Sequence, residues 1–158
     1  KMSSGVSVNV KHDLTQRSRG DVWVSAAVWP YYLDYWDWGT SQGYTDYYQD
    51  SKGWLRLGVI DAIAPMLYGN GNSIPDDFEH WRVLMEDFVE DSAGRHVYPG
   101  IAGYYDDFSA IAQRIFAARA AGAPGHALFS YGALDARGYW GDFASGPYAG
   151  SAVLPLPP

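Results

Sequence analysis

The fold of this chain is decided by four apolar runs, of which the clearest is Asp61-Ala62-Ile63-Ala64-Pro65-Met66-Leu67-Tyr68, followed by Gly69-Asn70-Gly71. The other three cover residues 22–29, 96–102 and 126–131. Each run is short, is rich in small, β-branched or aromatic residues, and ends at Gly or Pro. A continuous apolar run of this length is typical of a strand that is buried on both faces. We therefore predict four buried strands.

One-faced helices are predicted between these runs. Tyr44, Tyr47, Tyr48, Trp54 and Leu55 predict a helix that ends at Gly58. A second helix is predicted after Pro75, with a capping box formed by Asp76 and Glu79; its apolar face is Phe78, Trp81, Met85, Phe88 and Val89. A third begins at Asp106 or Asp107 and stops at Gly122; its apolar face is Phe108, Ile111, Ala112, Ile115 and Phe116.

Alternation of buried strands and helices predicts an α/β fold with a parallel sheet covered on both sides. No glycine-rich phosphate loop follows any strand, which argues against a nucleotide-binding fold. A closed eight-unit barrel needs ~250 residues, so we predict parallel (β/α) units forming about half of a (β/α)8 TIM-type barrel over residues 21–145. Residues 1–20 are predicted to be a poorly defined lead-in, and residues 146–158 a Gly/Pro-rich tail.

Composition excludes several classes of function. The chain has 158 residues, a net charge of −7 and no cysteine. An acidic chain without a basic run is a poor binder of nucleic acid, and the lack of cysteine excludes disulfides and thiolate chemistry. No apolar run approaches the ~20 residues of a membrane span. We expect no nucleic acid, no membrane span and no cofactor.

Aromatic residues are the strongest functional signal, since they make up 16% of the chain. Pro30, Pro65 and Pro99 lie toward the ends of three predicted strands, which is the edge where α/β proteins place ligand sites. The rings predicted to bind sugar there are Trp29, Trp36, Trp38, Tyr68, Tyr131 and Trp140, and Tyr31 falls at the same edge. Aromatic rings stack on the apolar faces of sugars. Packing between helices and sheet is the alternative for these rings, and for Trp54 and Trp81 we expect it.

Carboxylates that could act on a glycosidic bond are few. Such cleavage ordinarily uses two carboxyl groups, and no predicted strand ends in Asp or Glu. The nearest candidates are Asp34, Asp37 and Asp50, for which the alternative is a solvated loop charge or a helix-turn charge. The four His residues show no metal-ligand spacing, so we predict no metal site. Ser130 lacks the neighbours of a nucleophile elbow.

Several spaced segments resemble the glycosyl-hydrolase-like family ten, a bacterial family of predicted glycoside hydrolases. The resemblance covers roughly residues 21–153 and lies in Asp21-Val22-Trp23-Val24-Ser25-Ala26-Ala27-Val28-Trp29-Pro30, Tyr48-Gln49-Asp50-Ser51, Asp61 to Tyr68, Arg95-His96-Val97-Tyr98-Pro99-Gly100-Ile101 and Gly125-His126-Ala127-Leu128-Phe129-Ser130-Tyr131-Gly132. It implies that the strands here are the fifth to eighth of a (β/α)8 barrel. It also implies a secreted, periplasmic or lipid-anchored protein, with the usual catalytic carboxylate at the end of a fourth strand before Lys1.

Three functional hypotheses follow. The first is the C-terminal half of a glycoside hydrolase-like protein that acts on oligo- or polysaccharide and by itself shows little hydrolysis. The second is a half barrel that binds carbohydrate without cleaving it. The third is a structural piece, whose two open sheet edges favour a homodimer or association with a missing N-terminal half.

Overall fold

Short parallel strands alternate with helices in the computed structural model, which describes residues 22–156. The strands are β1 (Ser25–Val28), β2 (Ala62–Pro65), β3 (His96–Val97), β4 (Gly100–Ala102) and β5 (Ala127–Phe129). The helices are α1 (Gly43–Asp46), α2 (Ser51–Arg56), α3 (Phe78–Glu90), α4 (Phe108–Ala120), α5 (Tyr131–Arg137) and α6 (Trp140–Ser145), with a 3-10 turn at Ile74–Asp76. The predicted lead-in 1–20 and the last two residues of the predicted tail lie outside the described residues.

Strand pairing is parallel at every described pair. β1 pairs with β2, with Ser25 opposite Ala62, and β2 pairs with β3, with Ala62 opposite His96. β4 pairs with β5, with Gly100 opposite Ala127. The prediction of an α/β fold with parallel strands is thus confirmed, whereas residues 22–156 contain two short sheets and no closed barrel. The prediction that all four runs are buried on both faces was wrong for β1 and β5, because each pairs on one side only in this part of the chain and part of its surface stays uncovered: Ser25, Ala27 and Phe129 are exposed.

The third apolar run, predicted as one strand, is divided into β3 and β4 at Tyr98 and Pro99. Tyr98 still donates its backbone N–H to the Ile63 carbonyl at 2.9 Å, while the Pro99 carbonyl accepts from Ala127 at 3.0 Å. Pro65 has no N–H to donate toward this run, so the ladder with β2 stops there, whereas Pro99 and the residues after it pair with β5. The four segments therefore lie side by side in chain order.

The core lies where α3 and α4 pack against the strands. Trp81 is fully buried and its indole N–H donates to the Gly100 carbonyl at 2.9 Å, which ties α3 to β4. Ile111 and Ile115 of α4 are fully buried as well. Burial of such side chains is the main favourable term in folding. The placement of Phe116 on the buried face was wrong, because its side chain is 53% exposed.

The helix predicted from Tyr44 to Leu55 is two short helices. The side chain of Asp50 accepts the Gly53 N–H and begins α2 as its N-cap, while the side chain of Gln49 accepts the Trp29 N–H at 2.8 Å. These contacts fix the intervening residues outside helical geometry, since a cap residue takes a non-helical conformation. Gly58, with φ of 64°, follows α2 as predicted.

Helix α3 begins differently from the prediction, and α4 begins as predicted. The capping box joins Ser73 to Asp76 across the 3-10 turn, instead of Asp76 to Glu79. Asp77 is the N-cap of α3, and its side chain accepts the His80 N–H. Asp107 is the N-cap of α4, one of the two predicted positions.

Neither a long apolar helix nor a cluster of metal-ligand side chains is present in residues 22–156. No helix there combines the length and apolar character that a bilayer crossing requires. No group of three or more His, Asp or Glu side chains in the same residues could hold a metal ion.

Candidate functional site

An aromatic cleft lies at the C-terminal ends of the parallel strands. Its volume is about 330 Å³, and its walls come from the residues that follow β1 and β2 and from the last residue of β5. The lining residues are Trp29, Pro30, Tyr31, Met66, Tyr68, Gly69, Ser73, Pro75 and Phe129. Two of the six predicted sugar-binding residues, Trp29 and Tyr68, are thereby brought together.

The rings of the cleft are held by contacts with their neighbours. Tyr68 stacks on Phe129 with ring centroids 5.1 Å apart and planes 3° apart, and Phe129 is 56% exposed. The indole N–H of Trp29 donates to the Ser41 carbonyl at 2.8 Å, and its ring lies 4.3 Å from that of Tyr47. Rings fixed in this way lose little conformational freedom when a ligand stacks on them.

The four other predicted rings form two pairs that do not line this cleft. Trp36 and Trp38 stack on each other at 4.9 Å and pack against the core. Tyr131 and Trp140 are a tilted pair at 5.2 Å, with exposures of 70% and 43%. Trp140 is oriented by an indole hydrogen bond of 2.9 Å to Asp135. The exposed pair lies just after β5 and presents ring faces to solvent.

The three predicted catalytic carboxylates lie outside the lining of this cleft. Asp34 accepts the backbone N–H groups of Trp38 and Gly39, at 2.9 and 2.7 Å, and so closes its own loop. Asp50 accepts the Tyr32 hydroxyl at 2.9 Å while it caps α2. Asp37 is exposed, with φ of 57°. Their catalytic role stays a prediction.

Asp76 is a carboxylate next to the cleft, for which the sequence predicts only a role in capping a helix. One of its oxygens accepts the Tyr104 hydroxyl at 2.5 Å, and the other accepts the N–H groups of Gly71 and Ser73, each at 2.9 Å. The Tyr104 hydroxyl also accepts the Gly69 N–H at 3.0 Å. Since Gly69 and Ser73 line the cleft, Asp76 and Tyr104 shape its wall.

The phenols around Asp76 stay protonated at neutral pH. Burial raises the pKa of Tyr105 to about 12, and burial followed by the charge of Asp76 raises the pKa of Tyr31 to about 12. Burial and the hydrogen bond to Asp76 also raise the pKa of Tyr104. A protonated phenol is a donor, so these groups can bind the carboxylate of Asp76 or the oxygens of a ligand.

Arg114 is a buried residue that stabilises the backbone at Asp76. Its side chain is 2% exposed, and its guanidinium donates to the main-chain carbonyl of Asp76 at 2.6 Å. The ring of Tyr105 lies 4.4 Å from the guanidinium carbon, with Phe78 and Trp81 further out at 5.6 and 5.7 Å. Burial lowers the pKa of Arg114. Because cation–π contacts of a desolvated guanidinium are favourable, the rings hold Arg114 where it fixes the backbone at Asp76.

Sequence proximity could not have revealed this cluster, because Tyr104 lies 28 residues after Asp76. The signal that was present is Tyr104-Tyr105 directly after the third apolar run. Residues at that position follow the C-terminal end of a parallel strand and meet the residues after the neighbouring strands.

The arrangement is suited to binding more than to proton transfer. Stacked rings and neighbouring hydroxyl and backbone groups suit a ligand with one apolar face and several hydroxyls. Asp76 already accepts three hydrogen bonds from the chain, which engage both of its carboxylate oxygens. Comparison with profiles of known protein families gives no match for this chain, and a search of curated proteins finds no relative.

Proposed function

We propose that this chain binds oligo- or polysaccharide at the aromatic cleft, as the C-terminal half of a glycoside hydrolase-like (β/α)8 barrel. The observation that carries the proposal is the cleft itself, in which Trp29, Tyr68 and Phe129 meet at the C-terminal ends of parallel strands. That edge is where barrel proteins hold their substrates.

Sugar chemistry fits the lining of the cleft. A pyranose ring has apolar C–H faces that stack on aromatic side chains and equatorial hydroxyls that need hydrogen-bond partners. Ser73 supplies a hydroxyl group at the wall. The exposed pair of Tyr131 and Trp140 would extend the stacking surface beyond the cleft to further sugar units.

The half-barrel part of the proposal is supported by the order of the strands. β1, β2, the β3–β4 run and β5 follow one another in space as they do in the chain, with helices between them. Only parallel partners are seen for the described strands, and β1 and β5 each pair on one side. Their open edges would accept the strands of a second half or of a second copy.

Hydrolysis is the less supported part of the proposal. It needs a carboxylic acid to protonate the leaving oxygen and a second carboxylate on the other side of the anomeric carbon. Asp34 and Asp50 are each engaged by local donors. This favours binding without cleavage by these residues alone, so a non-catalytic carbohydrate-binding half barrel is the second candidate.

Calorimetric titration with soluble glucose and N-acetylglucosamine oligosaccharides tests the proposal. Trp29→Ala and Tyr68→Ala are expected to weaken binding about tenfold each, because a stacked ring contributes about 1 kcal/mol beyond its buried area. Trp23→Ala is the matched control, since Trp23 precedes β1 while Trp29 follows it. Tyr131→Ala, which removes an exposed ring, tests the extended surface.

The outcomes separate the candidates. Binding that depends on Trp29 and Tyr68 but not on Trp23, without release of reducing ends, supports the binding candidate. Release of reducing ends by this chain would instead assign a catalytic carboxylate to it, and Asp34→Asn, Asp37→Asn and Asp50→Asn would then identify which. Absence of binding for the whole panel would overturn the proposal.

A further inference from the structure

A second and larger cavity lies at the opposite end of β5 from the aromatic cleft. Its volume is about 580 Å³, and it surrounds the beginning of β5, whereas the aromatic cleft lies where the strands end. It lies between the second half of α4, the residues just before β5 and the segment from 146 to 153, and its lining includes Phe116, Arg119, His126 and Tyr148. None of the described residues lines both cavities, so a ligand here would not compete with one in the cleft.

Arg119 gives this cavity a positive charge in a chain whose net charge is −7. Among the described residues that line the cavity there is no Asp or Glu. Arg119 makes no ion pair with any described carboxylate, unlike Arg82, Arg95 and Arg137. A single cation in a concave, carboxylate-free site attracts one negative charge.

Aromatic rings flank the guanidinium of Arg119. Its central carbon lies 5.8 Å from the ring centroid of Phe116 and 6.0 Å from that of Tyr148. Phe116 was predicted for the buried face of α4, but its ring is 53% exposed and lines this cavity instead of the core. The cavity thus offers a fork of N–H donors beside apolar ring surface.

His126 contributes a neutral polar group. Its Nε2 lies 2.6 Å from the Tyr148 hydroxyl, and the two rings stack at 5.8 Å with planes 17° apart. Burial, with a smaller effect from the charge of Arg119, lowers the pKa of His126 to about 4. The imidazole therefore adds no second positive charge near neutral pH, and the charge of the site stays at one.

We propose that this cavity is a binding site for a small aromatic carboxylate, whose carboxylate group Arg119 holds. The planar guanidinium matches a carboxylate with two parallel hydrogen bonds, and the exposed ring of Phe116 takes the flat apolar part of the ligand. The ring of Tyr148, which stacks on Phe143 as well as on His126, forms a fixed wall beside it. A phosphate dianion suits the site less well, because one cation leaves a second negative charge unpaired beside apolar walls.

An NMR titration of the ¹⁵N-labelled chain tests the site with benzoate as the probe. Benzoate is expected to shift the amide signals of residues 116–126 and 146–153 in a saturable manner. Benzamide, which has the same ring and no charge, is expected to leave them unchanged. Arg119→Gln is expected to weaken benzoate binding about tenfold or more, because a charge-assisted hydrogen-bond pair is lost.

Arg56→Gln is the matched control, because Arg56 is an exposed arginine at the end of α2, outside the cavity. It should leave benzoate binding unchanged, and Arg119→Lys should restore part of the loss. The proposal is overturned if benzoate gives no saturable shifts, if Arg56→Gln weakens binding as much as Arg119→Gln, or if inorganic phosphate shifts the same signals at lower concentration. Sugar binding at the cleft should not respond to Arg119→Gln, so this test and that of the proposed function fail independently.

Discussion

The two ends of the parallel strands differ in how their polar and aromatic groups are used. At the N-terminal ends of β1 and β2, the buried carboxylate of Asp61 accepts the Val24 N–H at 2.8 Å and faces Arg95 at 3.5 Å. Beside it, buried His96 lies 2.9 Å from the Tyr98 hydroxyl and against the edge of Trp23. At the C-terminal ends, rings line an open cleft. At the N-terminal ends of β1 and β2 the buried polar groups are hydrogen-bonded within the chain, whereas the C-terminal ends present ring surface that a ligand can cover.

This difference separates stability from function. A buried carboxylate and its donors stabilise the fold only while all partners remain, since removing one leaves the others without compensation. An exposed ring contributes less to stability and more to binding. Substitutions of the buried polar groups around Asp61 should therefore change unfolding, whereas substitutions of the rings that line the cleft should change ligand affinity.

The largest expected effect comes from Asp61→Asn. The amide keeps an oxygen for Val24 but loses the charge that faces Arg95, so we expect the free energy of unfolding to fall by about 2 kcal/mol. Urea denaturation followed by tryptophan fluorescence measures this. Asp37→Asn is the matched control, because Asp37 is exposed, and it should change the free energy by less than about 0.5 kcal/mol. Equal effects of the two variants would contradict the distinction between the two ends.

A smaller effect is expected from Tyr104→Phe at the C-terminal ends. The change removes the hydroxyl that donates to Asp76 at 2.5 Å and accepts from Gly69 at 3.0 Å. We expect the free energy of unfolding to fall by about 1.5 kcal/mol, since a hydrogen bond to a charged group is lost. Hydrogen exchange at the amides of Gly71 and Ser73 should become faster, because both donate to the same carboxylate.

Tyr105→Phe is the comparison for this variant. Its hydroxyl lies 3.5 Å from the same oxygen of Asp76, a distance at which a hydrogen bond contributes little. Exchange at Gly71 and Ser73 should stay near the wild-type rate. If Tyr105→Phe accelerated exchange as much as Tyr104→Phe did, the wall of the cleft would depend on packing of the rings and not on the short hydrogen bond.

The sequence was sufficient for features that depend on neighbouring residues. The four strand segments are predicted because strands are rich in small, β-branched and aromatic residues, but only β2, β3 and β4 are buried as expected. The start of α4 is predicted because Asp107 has the chemistry of a helix cap. The division of the run 96–102 is not predicted, although Pro65 and Pro99 are visible in the sequence, because the effect of a proline depends on which strand its missing N–H would have faced. The single helix predicted over residues 44–55 was wrong because Asp50 and Gln49 have partners elsewhere.

The site was predicted less completely for the same reason. Trp29 and Tyr68 lie together because both follow parallel strands, which sequence order alone suggests. Trp36 and Trp38 satisfied the same rule but stack on each other in a loop closed by Asp34. Asp76 was assigned to a helix start, because its main partner, Tyr104, comes from the next strand connection. A single sequence does not show which distant residues will pair with its polar groups.

The smallest expected effect concerns pH at the N-terminal end of β5. The pKa of His126 is about 4 in the folded chain, below its ordinary 6.5. Above about pH 6.5 the ring is neutral in both states. As pH falls from there, the unfolded chain binds a proton that the folded chain does not, so the folded state loses stability.

His126→Gln removes this difference. Between about pH 7 and pH 5.5, the melting temperature of the wild type should fall further than that of His126→Gln, by about 2 to 5 °C. A wild-type slope retained in His126→Gln would show that the ring is hydrated in the folded chain, and the N-terminal end of β5 would then be as open to water as the cleft.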